Sequence, residues 1–376
     1  MAEVIGHLNL IDKALPTGVD GTRLAQWAMR DGITYGELAN QVALALAQAN
    51  AELVRRWGWL FFLTEELMME YEQGGAVSAM TEITDEDRPQ PTKGSTIGHM
   101  VDLRAYGEAI GGTRRFFRDV RSAKINAAIS TIVRKGVWRF EQKLLTRWLT
   151  NTENAIGSAG YDVPFVRGTG GTVDFAPPAY GGEAFTTSHD HYLGYNASTP
   201  KTFADALNGN AETLQEHGHE PPFRAMVARA DVATYAALTD FIQMVNIPSL
   251  MVDRGGTSTG NQFFQNGTSW MDGHFGDFQS EYGLVELYAT ARIPTLWGGM
   301  AKSYGMLDSR NPLAVRVHPS QGFGFFLVPE TTPDDDTPVK QLDIEMEYGV
   351  GVGMDRTNGS AFYLIAGGSW VNPTIS

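Results

Sequence analysis

The chain has 376 residues, 43% of them hydrophobic and 19% charged. That balance fits two or three folded domains, or one elaborated domain, and excludes wholesale disorder. A net charge of −14 argues against a sequence-reading DNA binder and against docking on anionic membranes, and the absence of cysteine excludes disulfides and thiolate metal sites.

Residues 1–20 read as irregular, followed by a short helix from Arg23 to Arg30 with Gly21 or Thr22 as its cap. Leu38, Val42, Ala45, Ala49, Leu53, Trp57, Leu60, Thr64, Leu67 and Tyr71 then recur every three or four residues. This spacing predicts a long helix that ends before Gly74-Gly75, or that breaks near Gly58. Val77 to Ile83 and Thr96 to Tyr106 read as two strands around a polar turn containing Pro89 and Pro91. A hairpin of this length is marginal in isolation and needs a surface outside itself.

The next element is basic. Ten Lys and Arg residues fall between Arg114 and Arg147, against only Asp119 and Glu141. Ile125, Ile129, Ile132, Gly136, Val137, Phe140, Leu144 and Trp148 keep helical spacing, so the cations occupy the opposite face of an amphipathic helix. Residues 157–200 read as loops with short strands. Thr202 to His217 predicts a helix, Ala225 to Ala230 a strand, and Asp231 to Met244 a helix capped by Asp231. Residues 253–282 read as loop. From Leu284 onward the pattern is β: Val285 to Thr290, Phe323 to Val328 and Leu342 to Tyr348 are strands, and Asn358-Gly359 predicts a hairpin returning through Ala361 to Ala366.

Catalytic motifs are not found. Gly349-Val350-Gly351-Val352-Gly353 has Met354 where a dinucleotide fingerprint needs its third glycine, and it reads as a glycine-rich strand end. Gly168 to Gly171 lacks the Lys of a phosphate loop. His189/His191 and His217/His219 form two H-x-H pairs, a spacing that suits a metal on a strand but also suits loop histidines bonded to backbone. Asp85, Asp87 and Asp334 to Asp336 read as solvated turn residues. Trp57, Trp59, Phe61 and Phe62 read as core or interface. No apolar run approaches the roughly 18 residues of a membrane span. Met1-Ala2-Glu3-Val4 carries no signal-peptide pattern, and no processed scaffold segment is expected at the N-terminus.

The element order is a helical start, a long hairpin, a long amphipathic helix, an α/β middle and a β-rich end. In this α+β order the chain resembles the HK97-like phage major capsid family. Thr187 to Leu193, Thr202 to Leu214 with Glu216-His217-Gly218, and Tyr348 through Asp355-Arg356-Thr357-Asn358-Gly359 to Pro373 carry the same resemblance. It implies a helical N-terminal arm over 1–75, an E-loop hairpin over 76–112 and a peripheral domain with a spine helix over 113–200. It further implies an axial domain starting at 201–283 and a β-rich remainder over 284–376 shared between the two domains. The implied function is non-enzymatic assembly of copies into pentamers and hexamers of an icosahedral shell around double-stranded DNA, in the virion after assembly in the host cytoplasm. Scaffolding and portal proteins, and in some members a decoration protein, are the implied further partners. No cofactor, metal or membrane is implied. For assembly contacts, the acidic hairpin residues Glu82, Asp85, Glu86 and Asp87 are expected to meet the helix cations Arg134, Lys135 and Arg139. Two alternatives stand beside this reading: an encapsulin-like nanocompartment holding cargo, and a metal-dependent enzyme built on the four histidines.

Overall fold

The computed structural model describes residues 29–33, 35–73, 95–113, 116, 119–151, 154–156, 161–163, 191–196, 200–243, 273–328, 339–353 and 359–375. The expected helix from Arg23 to Arg30 lies almost wholly outside these residues. So do the hairpin turn with Glu82, Asp85, Glu86 and Asp87, the Gly168 loop, His189, and Asp334 to Asp336.

The N-terminal periodicity forms helix α1, Tyr35–Trp57. Leu38, Val42, Leu46, Leu53 and Trp57 are its buried stripe. The helix breaks at Gly58 and does not reach Gly74. Gly58 donates its N–H to the Val54 carbonyl at 2.7 Å, and a Cβ there would sit 2.5 Å from that same oxygen. Beyond the break, Phe61–Thr64 is strand β1, and Phe61, Phe62 and Leu63 are all buried. A strand buried on both faces is apolar throughout, so it carries no alternation to distinguish it from a buried helix. Residues expected to end the helix form β2, Met68–Gln73, which pairs antiparallel with β3, Ser95–Met100. After a short break comes β4, Arg104–Thr113.

The basic stretch forms α2, Ser122–Leu149, a 28-residue helix about 42 Å long. The short strands β5 (Asn154–Ile156), β6 (Tyr161–Val163) and β7 (Tyr192–Tyr195) follow, and then α3, Pro200–Glu216. Next comes β8, Phe223–Ala228. The helix expected over Asp231 to Met244 is only a turn at Arg229–Asp231 and the five-residue α4, Val232–Ala236. The Asp231 carboxylate does not cap it, because it accepts the Leu296 N–H at 2.6 Å. The chain instead enters β9, Phe241–Gln243, where pairing with β10, His274–Ser280, outcompetes further helix. β10 also corrects the end of the loop expected over 253–282.

The remaining strands are β11 (Gly283–Thr290), β12 (Trp297–Lys302), β13 (Leu313–Val317), β14 (Phe325–Val328), β15 (Val339–Val352) and β16 (Ser360–Ile365). They build two sheets. One runs β1-β13-β15-β14, with β4 also paired along β15. The other runs β7-β16-β12-β8-β11-β10-β9. The expected hairpin at Asn358-Gly359 does not return β16 onto β15. β13, β14 and β4 already occupy the edges of β15, so β16 crosses to the second sheet and pairs with β12 and β7.

Each sheet has its own core. α1, α2 and the five-stranded sheet bury Trp57, Phe61, Phe140, Trp148 and Phe323 together. α3 and α4 cover the seven-stranded sheet over Leu207, Ala211, Tyr235, Ala361 and Tyr363. Trp148 joins them: its ring stands edge-on to Trp59 and to Phe362, and its indole N–H donates to the Ser360 hydroxyl at 3.0 Å.

Candidate functional site: the long helix and the hairpin base

Helix α2 lies on the ribbon formed by β4 and β15. That ribbon pairs ten residues from each strand, from Arg104 opposite Tyr348 to Thr113 opposite Val339. Alternation along β15 turns Ile344, Met346 and Tyr348 inward, all three buried. Tyr106 of β4 stacks on Tyr348 with ring centroids 5.0 Å apart, and Phe140 of α2 meets Tyr348 edge-on at 5.2 Å. Gly136 lets the helix approach this closely, since a Cβ there would fall 2.2 Å from the Phe325 ring.

The three cations singled out in the sequence have different surroundings. Lys135 is exposed and chelates Glu108 of β4, with its ammonium 2.7 and 2.9 Å from the two carboxylate oxygens. An acid at the hairpin base of the same chain therefore holds Lys135. Arg139 donates to the Gln142 side-chain oxygen at 3.0 Å, and its guanidinium lies 5.5 Å from the Tyr106 ring centroid. Arg134 is exposed. Neither Arg134 nor Arg139 has a carboxylate partner among the described residues. One turn further on, burial pulls the Lys143 ammonium below the usual lysine range, and the like charges of Arg139 and Arg104 add to the effect. The acidic half of the expected contact, Glu82 to Asp87, falls outside the described residues.

The lone acid of the helix, Glu141, is 2% exposed and forms a junction that the sequence reading left unassigned. Its Oε1 accepts from Arg56 of α1 at 2.8 Å and from the Trp57 indole at 3.2 Å. Its Oε2 accepts from Arg292 at 3.2 Å. The available signal was a single carboxylate among cations, at a position flanked by the buried Phe140 and Leu144.

The three described histidines of the two pairs, His191, His217 and His219, do not converge on one centre. His191 is fully buried and donates Nδ1–H to the Ser360 carbonyl at 2.7 Å, since a carbonyl can only accept. Its Nε2 lies 2.9 Å from the His217 Nε2. His219 bonds the Tyr304 hydroxyl at 2.7 Å. Among the described residues no three His, Asp or Glu side chains are placed to hold a metal ion, and no helix is long and apolar enough to cross a membrane.

No protein-family model matches the chain, and no curated protein matches it. Among solved structures, the chain is similar to one described as Mycobacterium phage Patience, 18% identical over 91% of both chains with a TM-score of 0.57. It also aligns with the capsid of Ralstonia phage GP4, at 12% identity over 82% of this chain and 86% of that one, with a TM-score of 0.46. The mature capsid of bacteriophage PhiM1 aligns at 12% identity over 83% and 86%, with a TM-score of 0.45. The chain has the HK97-like capsid fold, as its element order implied.

Proposed function

We propose that the chain is a major capsid protein whose copies assemble into pentamers and hexamers of an icosahedral shell around double-stranded DNA. The observation that carries this reading is the likeness in fold over 91% of both this chain and the phage protein. The ribbon supports it. A long hairpin held at its base by ten paired residues and continued by the two-stranded β2–β3 pair suits a projection that rests on a neighbour.

In this mechanism the domains are those read from the sequence, with the hairpin of 76–112 extended back to Met68. The acids Glu82, Asp85, Glu86 and Asp87 of one copy meet the cations of α2 in the next. Arg134 and Arg139 supply the charge directly, and Lys135 exchanges Glu108 for the incoming acid. Interfaces that build a closed shell bury on the order of 2,000–5,000 Å² each. The acidic body keeps packaged DNA from adhering, and no chemistry is performed. Scaffolding and portal proteins guide assembly in the host cytoplasm, and the product is the virion shell.

Negative-stain electron microscopy of the purified chain, beside size-exclusion chromatography, tests the proposal. Closed particles or rings of five and six are expected. A monomer or dimer at every concentration would overturn self-assembly.

A further inference from the structure

His191 and His217 meet where α3 ends and the chain enters β7. His191 immediately precedes β7 and is fully buried. His217 follows Glu216, the last residue of α3, and is partly buried. Their Nε2 atoms are 2.9 Å apart and their ring centroids 4.8 Å apart. One proton, and only one, fits between two nitrogens at that distance. The Nδ1–H of His191 is committed to the Ser360 carbonyl, so a neutral His191 offers its Nε2 as a lone pair. The bridging proton therefore belongs to His217, whose Nε2–H donates to His191.

This arrangement decides what acid does. A proton added to His217 leaves its Nε2–H donating, and the C-terminal end of α3 favours a cation there. A proton added to His191 has only Nε2 to occupy, where it faces the Nε2–H of His217, and the contact cannot stand. Burial of His191 opposes its charged form as well. The surroundings act in the same sense. On the α3 side lie the carboxylates Glu216 and Glu220, and His219 bonded to the Tyr304 hydroxyl. On the β12 side lies Lys302, next to the Ala301 that pairs with Ser360. From α2 comes Arg147, which bonds the same Thr150 carbonyl as the Tyr192 hydroxyl. His189 and Asp190, which lead into His191, are outside the described residues. Ser360 makes the contact consequential. Its carbonyl holds His191, and its hydroxyl accepts from Trp148, the ring that joins the two cores. The His191 carbonyl in turn accepts the Phe362 N–H of β16 at 2.8 Å.

We infer that the His191–His217 pair is a proton-operated latch. Closed near neutral pH, it pins the end of α3 to the entry of β7, beside the bridge between the cores. A proton from solvent on His191 Nε2 opens it, and only the hydrogen bond between the rings is broken. The inference stands on the subunit alone and does not need the shell reading. In the unfolded chain both histidines titrate near about 6.5, whereas the closed latch keeps His191 neutral. The unfolded chain thus binds more protons below that value. The contribution of the latch is fully present above it and is lost as pH falls toward the lower folded one.

The test uses the full chain, below its assembly concentration, from about pH 8 to about pH 5. In the unaltered chain the unfolding constant is expected to rise by up to about tenfold per pH unit below about 6.5, the effect of one proton. The Phe362 amide is expected to exchange faster over the same range, relative to its intrinsic rate. His191→Gln removes the titratable ring, and its amide can still accept from His217, so the one-proton difference should vanish. His217→Gln should remove it too, because that amide can turn its oxygen toward a protonated His191. Being partly exposed, His217 covers a His191→Gln variant that fails to fold. Slopes in both variants equal to that of the unaltered chain would overturn the latch. So would a Phe362 amide in the unaltered chain whose protection stays constant across the range, a readout that needs no variant.

Discussion

The two cores solve the burial problem differently. The core under α1 and α2 is filled with large rings: Phe140 meets Phe61, Phe323 and Tyr348 at centroid distances of 5.7, 5.4 and 5.2 Å. It also buries a carboxylate, Glu141, between two arginines. The core over the seven-stranded sheet uses small residues such as Ala206, Ala211, Ala225 and Ala361, which let α3 lie close, and its two large phenols, Tyr235 and Tyr363, hydrogen-bond each other. Arg134 and Arg139, which have no carboxylate partner among the described residues, belong to the first region. The difference teaches where charge is left at the surface. The seven-stranded sheet is covered by its own helices, whereas the α2 region carries exposed cations and a half-open cavity among the described residues.

That contrast can be broken by substitution, and the largest effect belongs to the ring cluster. Phe140→Ala is expected to cost about 4 kcal/mol in urea unfolding, from lost burial plus the cavity left behind. Because Trp148 joins the two cores, one transition is expected. Two separate transitions would show that the cores are independent. Glu141→Ala is expected to cost about 3 kcal/mol, since it strands two guanidiniums and an indole N–H, with the partial exposure of Arg56 and Arg292 limiting the loss. In the second core, Asn210 is fully buried and its carboxamide has no partner among the described residues. Asn210→Leu is therefore expected to gain about 1 kcal/mol. A loss would mean that a bound water completes this core.

Asp231 provides a pH test of the same core. Burial raises its carboxyl above the usual 3.8, against the opposing N–H of Leu296. The folded state thus holds its proton more tightly than the unfolded chain. This contribution is fully present below the unfolded value and is lost as pH rises through the raised folded one. Asp231→Asn should remove that acid-range slope from stability measured against pH. The smallest effect is expected at Lys135→Gln. Its pair with Glu108 is 59% and 45% exposed, so the isolated subunit should lose less than about 1 kcal/mol. A larger loss would make the hairpin base a folding element and not an assembly element.

The fold was legible where periodicity was long and one-sided. α2 and α3 lie within a few residues of their expected bounds, because 17 to 28 residues of amphipathic spacing leave little ambiguity. The sequence misled where local pattern met a tertiary competitor. Leu60, Thr64 and Leu67 kept helical spacing with α1, yet Phe61–Thr64 became a buried strand. Asp231 looked like a cap and was taken by Leu296. Asn358-Gly359 signalled a hairpin between two strands that belong to different sheets. The site was half legible. Arg134, Lys135 and Arg139 stood out as a basic face, but the partner of Lys135 and the roles of Tyr348 and Glu141 depend on which strand lies beneath the helix.

The ribbon also has a mechanical consequence. β4 and β15 share ten paired residues, and β15 continues without interruption to Val352 beside β13. A tug on the hairpin along its own axis therefore loads the rungs of this ladder in shear, all at once, and does not peel them apart one by one. Antiparallel strands strained in this direction yield only when many hydrogen bonds fail together. The hairpin is thus anchored as a tie-rod, stiff in tension, while a sideways force could still unzip β4 from the Arg104 end, where β3 leads into it.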